Sequence, residues 1–125
     1  MESNKAQKLV AKILGDLDHA GIIINTVVED LKELREFAKK EQNPLATKVI
    51  RLAYEYIAQN ENFEIAIPDD EPIEDENGEV ISIAVGEVNP KESLSYLVSL
   101  FKDLNNKNNI IDLKVYRDAL WAELY

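Results

Sequence analysis

The chain has 125 residues, no cysteine and a formal charge of −10. That length suits one domain large enough to bury a core unaided, and the missing thiols exclude disulfide scaffolds, thiolate zinc sites and cysteine nucleophiles. The acidity is local: residues 63–88 hold nine Asp/Glu and no Lys/Arg, whereas the blocks on either side are close to neutral. Such a surface repels nucleic acid and anionic membranes and attracts cations or a basic protein. No apolar run is long enough for a signal peptide or a membrane span, so the expected compartment is the cytoplasm.

The first third carries the clearest pattern. Apolar residues at Ala6, Val10, Ile13, Leu17, Ala20, Ile24, Val27, Leu31, Leu34 and Ala38 step by four and three without interruption. This heptad spacing predicts one long helix over about residues 4–41, with Leu17, Ile24 and Leu31 at the centre of its seam. Flanking Leu9, Leu14, Ile23, Val28 and Phe37 widen the stripe enough for two neighbours in a bundle. The alternative is a break at Gly21, with Thr26-Val27-Val28-Glu29 as a capping box for a second helix. That break would place apolar Ile22-Ile23-Ile24 in a loop.

Asn43-Pro44 pairs a good N-cap with proline at the first helical position, and Leu45, Val49, Leu52, Ala53, Tyr56 and Ile57 continue the helix to about Gln59. The period then changes. Phe63, Ile65 and Ile67 alternate with Glu64 and Ala66 as in a half-buried strand, and residues 80–85 form a second apolar run. Asn77-Gly78 between them is a type I′ turn signal, so residues 63–88 are expected to form an acidic β-hairpin. Asn89-Pro90 starts the next helix, with Leu94, Leu97, Val98, Phe101 and Leu104 as its buried stripe. A last helix over about 110–124, capped by Asn109 with Asp112, carries Leu113, Tyr116, Leu120, Trp121 and Leu124. The predicted fold is therefore α+β and mostly helical. It is one domain over 1–125: a four- to five-helix bundle with a long N-terminal helix in 1–62, the hairpin in 63–88 and two helices in 89–125.

Chemistry is sparsely marked. Seven carboxylates crowd residues 69–79, among them Asp69, Asp70, Glu74 and Asp75, but the calcium-loop pattern fails: aligning Gly78 with its glycine puts Ile73 and Ala84 at ligand positions. His19 is the only histidine, and with Asp16 it makes at most half a zinc site. Glu29, Glu33 and Glu36 share a helix face, as magnesium-binding helices require, but the sequence offers no second carboxylate helix. Lys32–Glu36 and Glu36–Lys40 pairs at i, i+4 account for them more simply. The serines lack a nucleophile-elbow setting, and the glycines make no phosphate loop. No cofactor, metal or catalytic residue is assigned.

These readings point to a non-enzymatic interaction module. Self-association through the N-terminal helix is the leading expectation, because a helix near 35 residues, at about 1.5 Å per residue, outruns a compact domain of this size. An acidic inhibitor that binds a basic protein through residues 69–79 is a second expectation, and a magnesium-dependent hydrolase a third. Trp121 and Tyr125 are further candidates for a partner contact, since such side chains dominate interfaces.

Overall fold

The structure, a computed structural model, describes residues 1–68 and 89–125. Among them the fold is all helical: α1 Asn4–Ala20, α2 Ile24–Lys40, α3 Pro44–Asn60, α4 Pro90–Leu100 and α5 Lys107–Leu124. The helices meet pairwise in a closed ring: α1 on α2, α2 on α3, α3 on α5, α5 on α4, and α4 back on α1. One continuous core lies inside the ring.

Two sequence expectations are overturned. The long N-terminal helix is two helices of 17 residues each. Gly21 ends α1 at φ +74° and ψ −157°, and its N–H donates to the Leu17 carbonyl at 3.0 Å. That backbone region is open almost only to glycine. The apolar loop costs less than the sequence suggested, because Ile22 and Ile24 pack against the core and only Ile23 is exposed. The capping box at Thr26 does not form; α2 starts at Ile24, and its N-cap, Ile23, makes no side-chain cap bond. The heptad stripe is consequently used within the chain, as α1 and α2 fold back and both point it inward.

The second correction concerns the hairpin. No strand occurs among the described residues, and residues 69–88, which include its turn and second run, lie outside them. Phe63 and Ile65 do point inward and Glu64 outward, as the alternation implies, but Ile67, expected on the buried face, is exposed. Their partners are helices. The Phe63 ring stands edge-on to Tyr56 at 5.9 Å and stacks on Tyr116 at 6.2 Å. The Ile65 carbonyl accepts from the Ser93 hydroxyl, which replaces a ladder bond with a side-chain one.

The other helix starts follow their caps. Asn43 accepts from the Ala46 N–H at 3.0 Å and Asn89 from the Glu92 N–H at 3.1 Å, each ahead of a proline. Gln42, at φ 56°, and the Asn43 N–H to Ala38 carbonyl bond of 3.1 Å close α2 with a Schellman turn, so α3 leaves antiparallel to α2. The last helix begins earlier than expected. Asn106, not Asn109, is its cap, accepting from Asn108 and Asn109 N–H groups at 2.9 and 3.2 Å. Asp112 is buried inside rather than capping, and it accepts from the Tyr96 hydroxyl.

The two N-terminal glycines should respond oppositely to alanine. A Cβ at either meets nothing within 4 Å, so only backbone preference acts. Gly15→Ala, mid-helix, is expected to stabilise by about 0.5–1 kcal/mol. Gly21→Ala, at positive φ, should destabilise by about 1–3 kcal/mol. Urea unfolding of both variants checks the pair, and equal effects would contradict the break.

Candidate functional site

The residues singled out in the sequence fall into three groups. Leu17 and Leu31 are fully buried in the core, and Ile24 is half-buried at the first turn of α2. Asp69, Asp70, Glu74 and Asp75 lie outside the described residues, as does the calcium-loop alignment. Trp121 and Tyr125 are exposed at the end of α5, with ring centroids 4.5 Å apart. Trp121 thus leaves the buried stripe that its spacing suggested.

α5 is apolar on two faces. Leu113, Tyr116 and Leu120 face the core. On the opposite side Ile111 (55% exposed), Val115 (44%), Trp121 (46%) and Tyr125 (70%) face solvent. Ile111, Val115, Ala122 and Tyr125 recur every three, four or seven residues and form one outward stripe. Ile111 and Val115 lie outside the buried stripe that the apolar spacing of this helix marks, so that spacing does not reveal them.

The charged helix faces rearrange relative to expectation. The pairs on α2 are i, i+3: Lys32–Glu29 at 3.9 Å and Lys39–Glu36 at 3.4 Å. Lys12 joins α1 to α2, reaching Asp30 at 2.6 Å and Asp16 at 3.0 Å; these carboxylates raise its pKa, Asp30 foremost. His19 is exposed, and no group of three or more potential metal ligands gathers among the described residues. No helix among them is long and apolar enough to cross a membrane.

A feature without a sequence signal of its own lies between α2 and α3. The Schellman turn sets the end of α2 beside the start of α3, and a cleft of ≈ 550 Å³ there is lined by Arg35 and Lys39 from α2 and by Thr47, Lys48 and Arg51 from α3. Lys48 also reaches outward, its ammonium 4.6 Å from the centre of the Trp121 ring. The cationic cleft and the aromatic end of α5 therefore meet at one side chain. Finding the cleft from sequence would have required knowing that residues 35–39 and 47–51 face each other.

The buried polar groups where α4 and α5 meet are closed on themselves. Tyr116 donates to the Ser93 carbonyl at 3.0 Å and shares a 3.0 Å bond with the Ser93 hydroxyl. Burial pushes the Tyr116 hydroxyl far above the ordinary tyrosine range, against the opposing pull of the Ser93 hydrogen bond, and burial also raises Tyr56. These residues hold α4, α5 and the 63–65 segment together. Comparison with protein-family models, with curated proteins and with solved structures finds no significant match, so the function has to be argued from this geometry alone.

The tyrosine shifts set an alkaline limit. In the folded state both hydroxyls keep their protons above pH 10, whereas in the unfolded chain they ionise near pH 10. Stability is therefore complete below pH 10 and falls as pH rises beyond it, by up to about 1.4 kcal/mol per pH unit for each such group. Tyr116→Phe should cost about 1 kcal/mol at pH 7 and flatten the decline above pH 10. Urea unfolding across pH 7–11.5 tests this, and an unchanged alkaline slope would contradict it.

Proposed function

We propose that this chain is a protein-interaction module that self-associates through the outward face of α5. The observation that supports it is the exposed stripe of Ile111, Val115 and Tyr125, flanked by exposed Trp121, on a helix whose other face is already committed to the core. Aromatic side chains of this kind, set among aliphatic ones, supply most of the binding energy in known interfaces.

The charge pattern of the same helix favours a second copy as the partner. Lys107 and Lys114 lie in its N-terminal half; Glu123 and Asp118, the latter held by Arg117 at 3.0 Å, lie in its C-terminal half. A two-fold axis crossing α5 pairs the helix with itself in antiparallel fashion and sets each basic half against an acidic one. Association through the N-terminal seam loses its ground, because Leu17 and Leu31 are buried within the monomer and no helix of the necessary length exists among the described residues. The inhibitor reading rests on residues 69–79 and keeps only its sequence argument. The hydrolase reading lacks a carboxylate cluster among the described residues.

Three of the four exposed side chains are roughly half buried already, and Tyr125 is more exposed. Burying the remainder contributes about half of the ~1.5–3 kcal/mol available per side chain. Association costs about 4–15 kcal/mol, so the dimer should be weak and populated only at high micromolar concentration. Trp121 is the only tryptophan, which makes its fluorescence a direct reporter. Sedimentation equilibrium should show dimer, and acrylamide quenching of Trp121 should fall as concentration rises. Val115→Glu should abolish both changes and leave the fold intact. Leu17→Asp, which places a charge in the core, should instead unfold the monomer. A chain that stays monomeric at every concentration, or a Val115→Glu variant that still dimerises, would overturn the proposal.

A further inference from the structure

The cleft between α2 and α3 is a cationic hollow in an acidic protein. Its lining includes Arg35, Lys39, Lys48 and Arg51 and no carboxylate, with Gln42 and Thr47 as neutral polar groups. The arrangement follows from the antiparallel hairpin of helices. Arg35 and Lys39 stand one turn apart on α2, and Lys48 and Arg51 nearly so on α3, so each helix contributes a pair to the same opening.

The ion pairs among the described residues leave three of these cations without a carboxylate partner, as they leave most Lys and Arg side chains of the chain, and one buried atom sets Arg35 apart. Lys12, Lys32, Lys39 and Arg117 all have a carboxylate partner within 4.0 Å. Arg35, Lys48 and Arg51 have none among the described residues. In addition the Arg35 Nε is buried and has no hydrogen-bond partner among the described residues, a state it shares with Glu41 Oε2. Buried donors are ordinarily satisfied, and an unsatisfied one on a charged group is a place where an acceptor is missing.

We propose that this cleft binds a small phosphorylated molecule, with the phosphate received by Arg35 and Arg51 from facing helices and neutralised further by Lys39 and Lys48. Guanidinium groups match phosphate oxygens in bidentate pairs, whereas lysines act as point charges that leave orientation to the arginines. A volume of ≈ 550 Å³ falls inside the range of small-molecule pockets, about 300–1,000 Å³. A nucleic-acid track fits less well. It needs cations spread along a path, typically about 6–10 phosphate contacts, and these four are gathered in one hollow. The net charge of −10 also opposes a long polyanion more than a single phosphate group.

The test is a titration of the full chain with inorganic pyrophosphate and, separately, a single-stranded oligonucleotide, followed by calorimetry and by amide NMR. Pyrophosphate should bind saturably at one site, with shifts confined to α2 and α3, and more weakly as salt rises. Arg35→Gln with Arg51→Gln should weaken it at least about tenfold, the loss of one good charge-assisted contact or more. Lys107→Gln with Lys114→Gln removes the same charge outside the cleft and should leave binding unchanged. If the arginine pair proves necessary for folding, Lys48→Gln with Arg51→Gln leaves Arg35 in place and should still weaken binding. Absence of saturation up to millimolar pyrophosphate would overturn the proposal. So would equal weakening in the control variant, or an oligonucleotide that saturates the cleft when pyrophosphate does not.

Discussion

Gly21 holds a backbone conformation, φ +74° and ψ −157°, that side-chain-bearing residues rarely adopt, and the course of the N-terminal half follows from it. Because α1 ends there, its apolar face and that of α2 can both turn inward. Leu17 and Leu31 then share one core instead of lying 14 positions along a straight rod. Without the break, the rod would need a partner to cover its ends. With it, α1 reaches α4, α2 reaches α3, and the ring of helices closes. Lys12 spans the fold-back by holding Asp30. Exposed pairs of this kind contribute little energy, so the bridge registers α1 against α2 more than it holds them together.

The ring needs a second seal where α4 and α5 meet the segment after α3. That segment brings backbone polar groups into the core without a helix or a ladder to satisfy them. Ser93 and Tyr116 satisfy the Ile65 carbonyl and each other, while Phe63 fills the space between Tyr56 and Tyr116. The alternation from Phe63 to Ile67 was legible as a segment with one face buried, and this is so for Phe63 and Ile65 but not for Ile67, which is exposed. Its structural class was not legible, since period-two patterning reports facing and not hydrogen-bond partners. The Asn-Pro starts at residues 43 and 89 were readable because a cap is a local device: a side chain, a nearby N–H and a fixed φ. The glycine break was harder. Its cost depends on whether Ile22 and Ile24 find the core, which only the tertiary structure decides.

The candidate sites were legible in proportion to how local they are. Trp121 and Tyr125 could be named from composition, but their exposure could not, since spacing alone placed Trp121 with the buried residues. α5 carries two apolar stripes, so a search for one stripe settles on whichever is richer. The cleft is the extreme case: Arg35 and Arg51 are 16 positions apart and belong to two helices whose outward faces look unremarkable separately.

The cleft also shows why net charge is a poor guide to a particular surface. A total of −10 grounds an expectation that a long polyanion is repelled. A single phosphate group samples a smaller region. At physiological salt, charges beyond about 8 Å from it are largely screened, whereas the cations that touch it are screened much less. What decides its affinity is therefore the local balance, four cations and no carboxylate in the lining, and the unsatisfied Arg35 Nε that an oxygen acceptor would complete. Lys48 ties this balance to the other surface. Its ammonium is the one cleft cation placed over the Trp121 ring, so it divides its electrostatic attraction between an aromatic face and whatever anion enters the cleft. An anion that drew Lys48 inward would strip Trp121 of its cation and leave a more apolar ring on α5, which favours burial of that ring against a partner. By reciprocity, a partner that buried the bare ring would make Lys48 more available to the anion, so any coupling between the two surfaces through this side chain is positive in both directions.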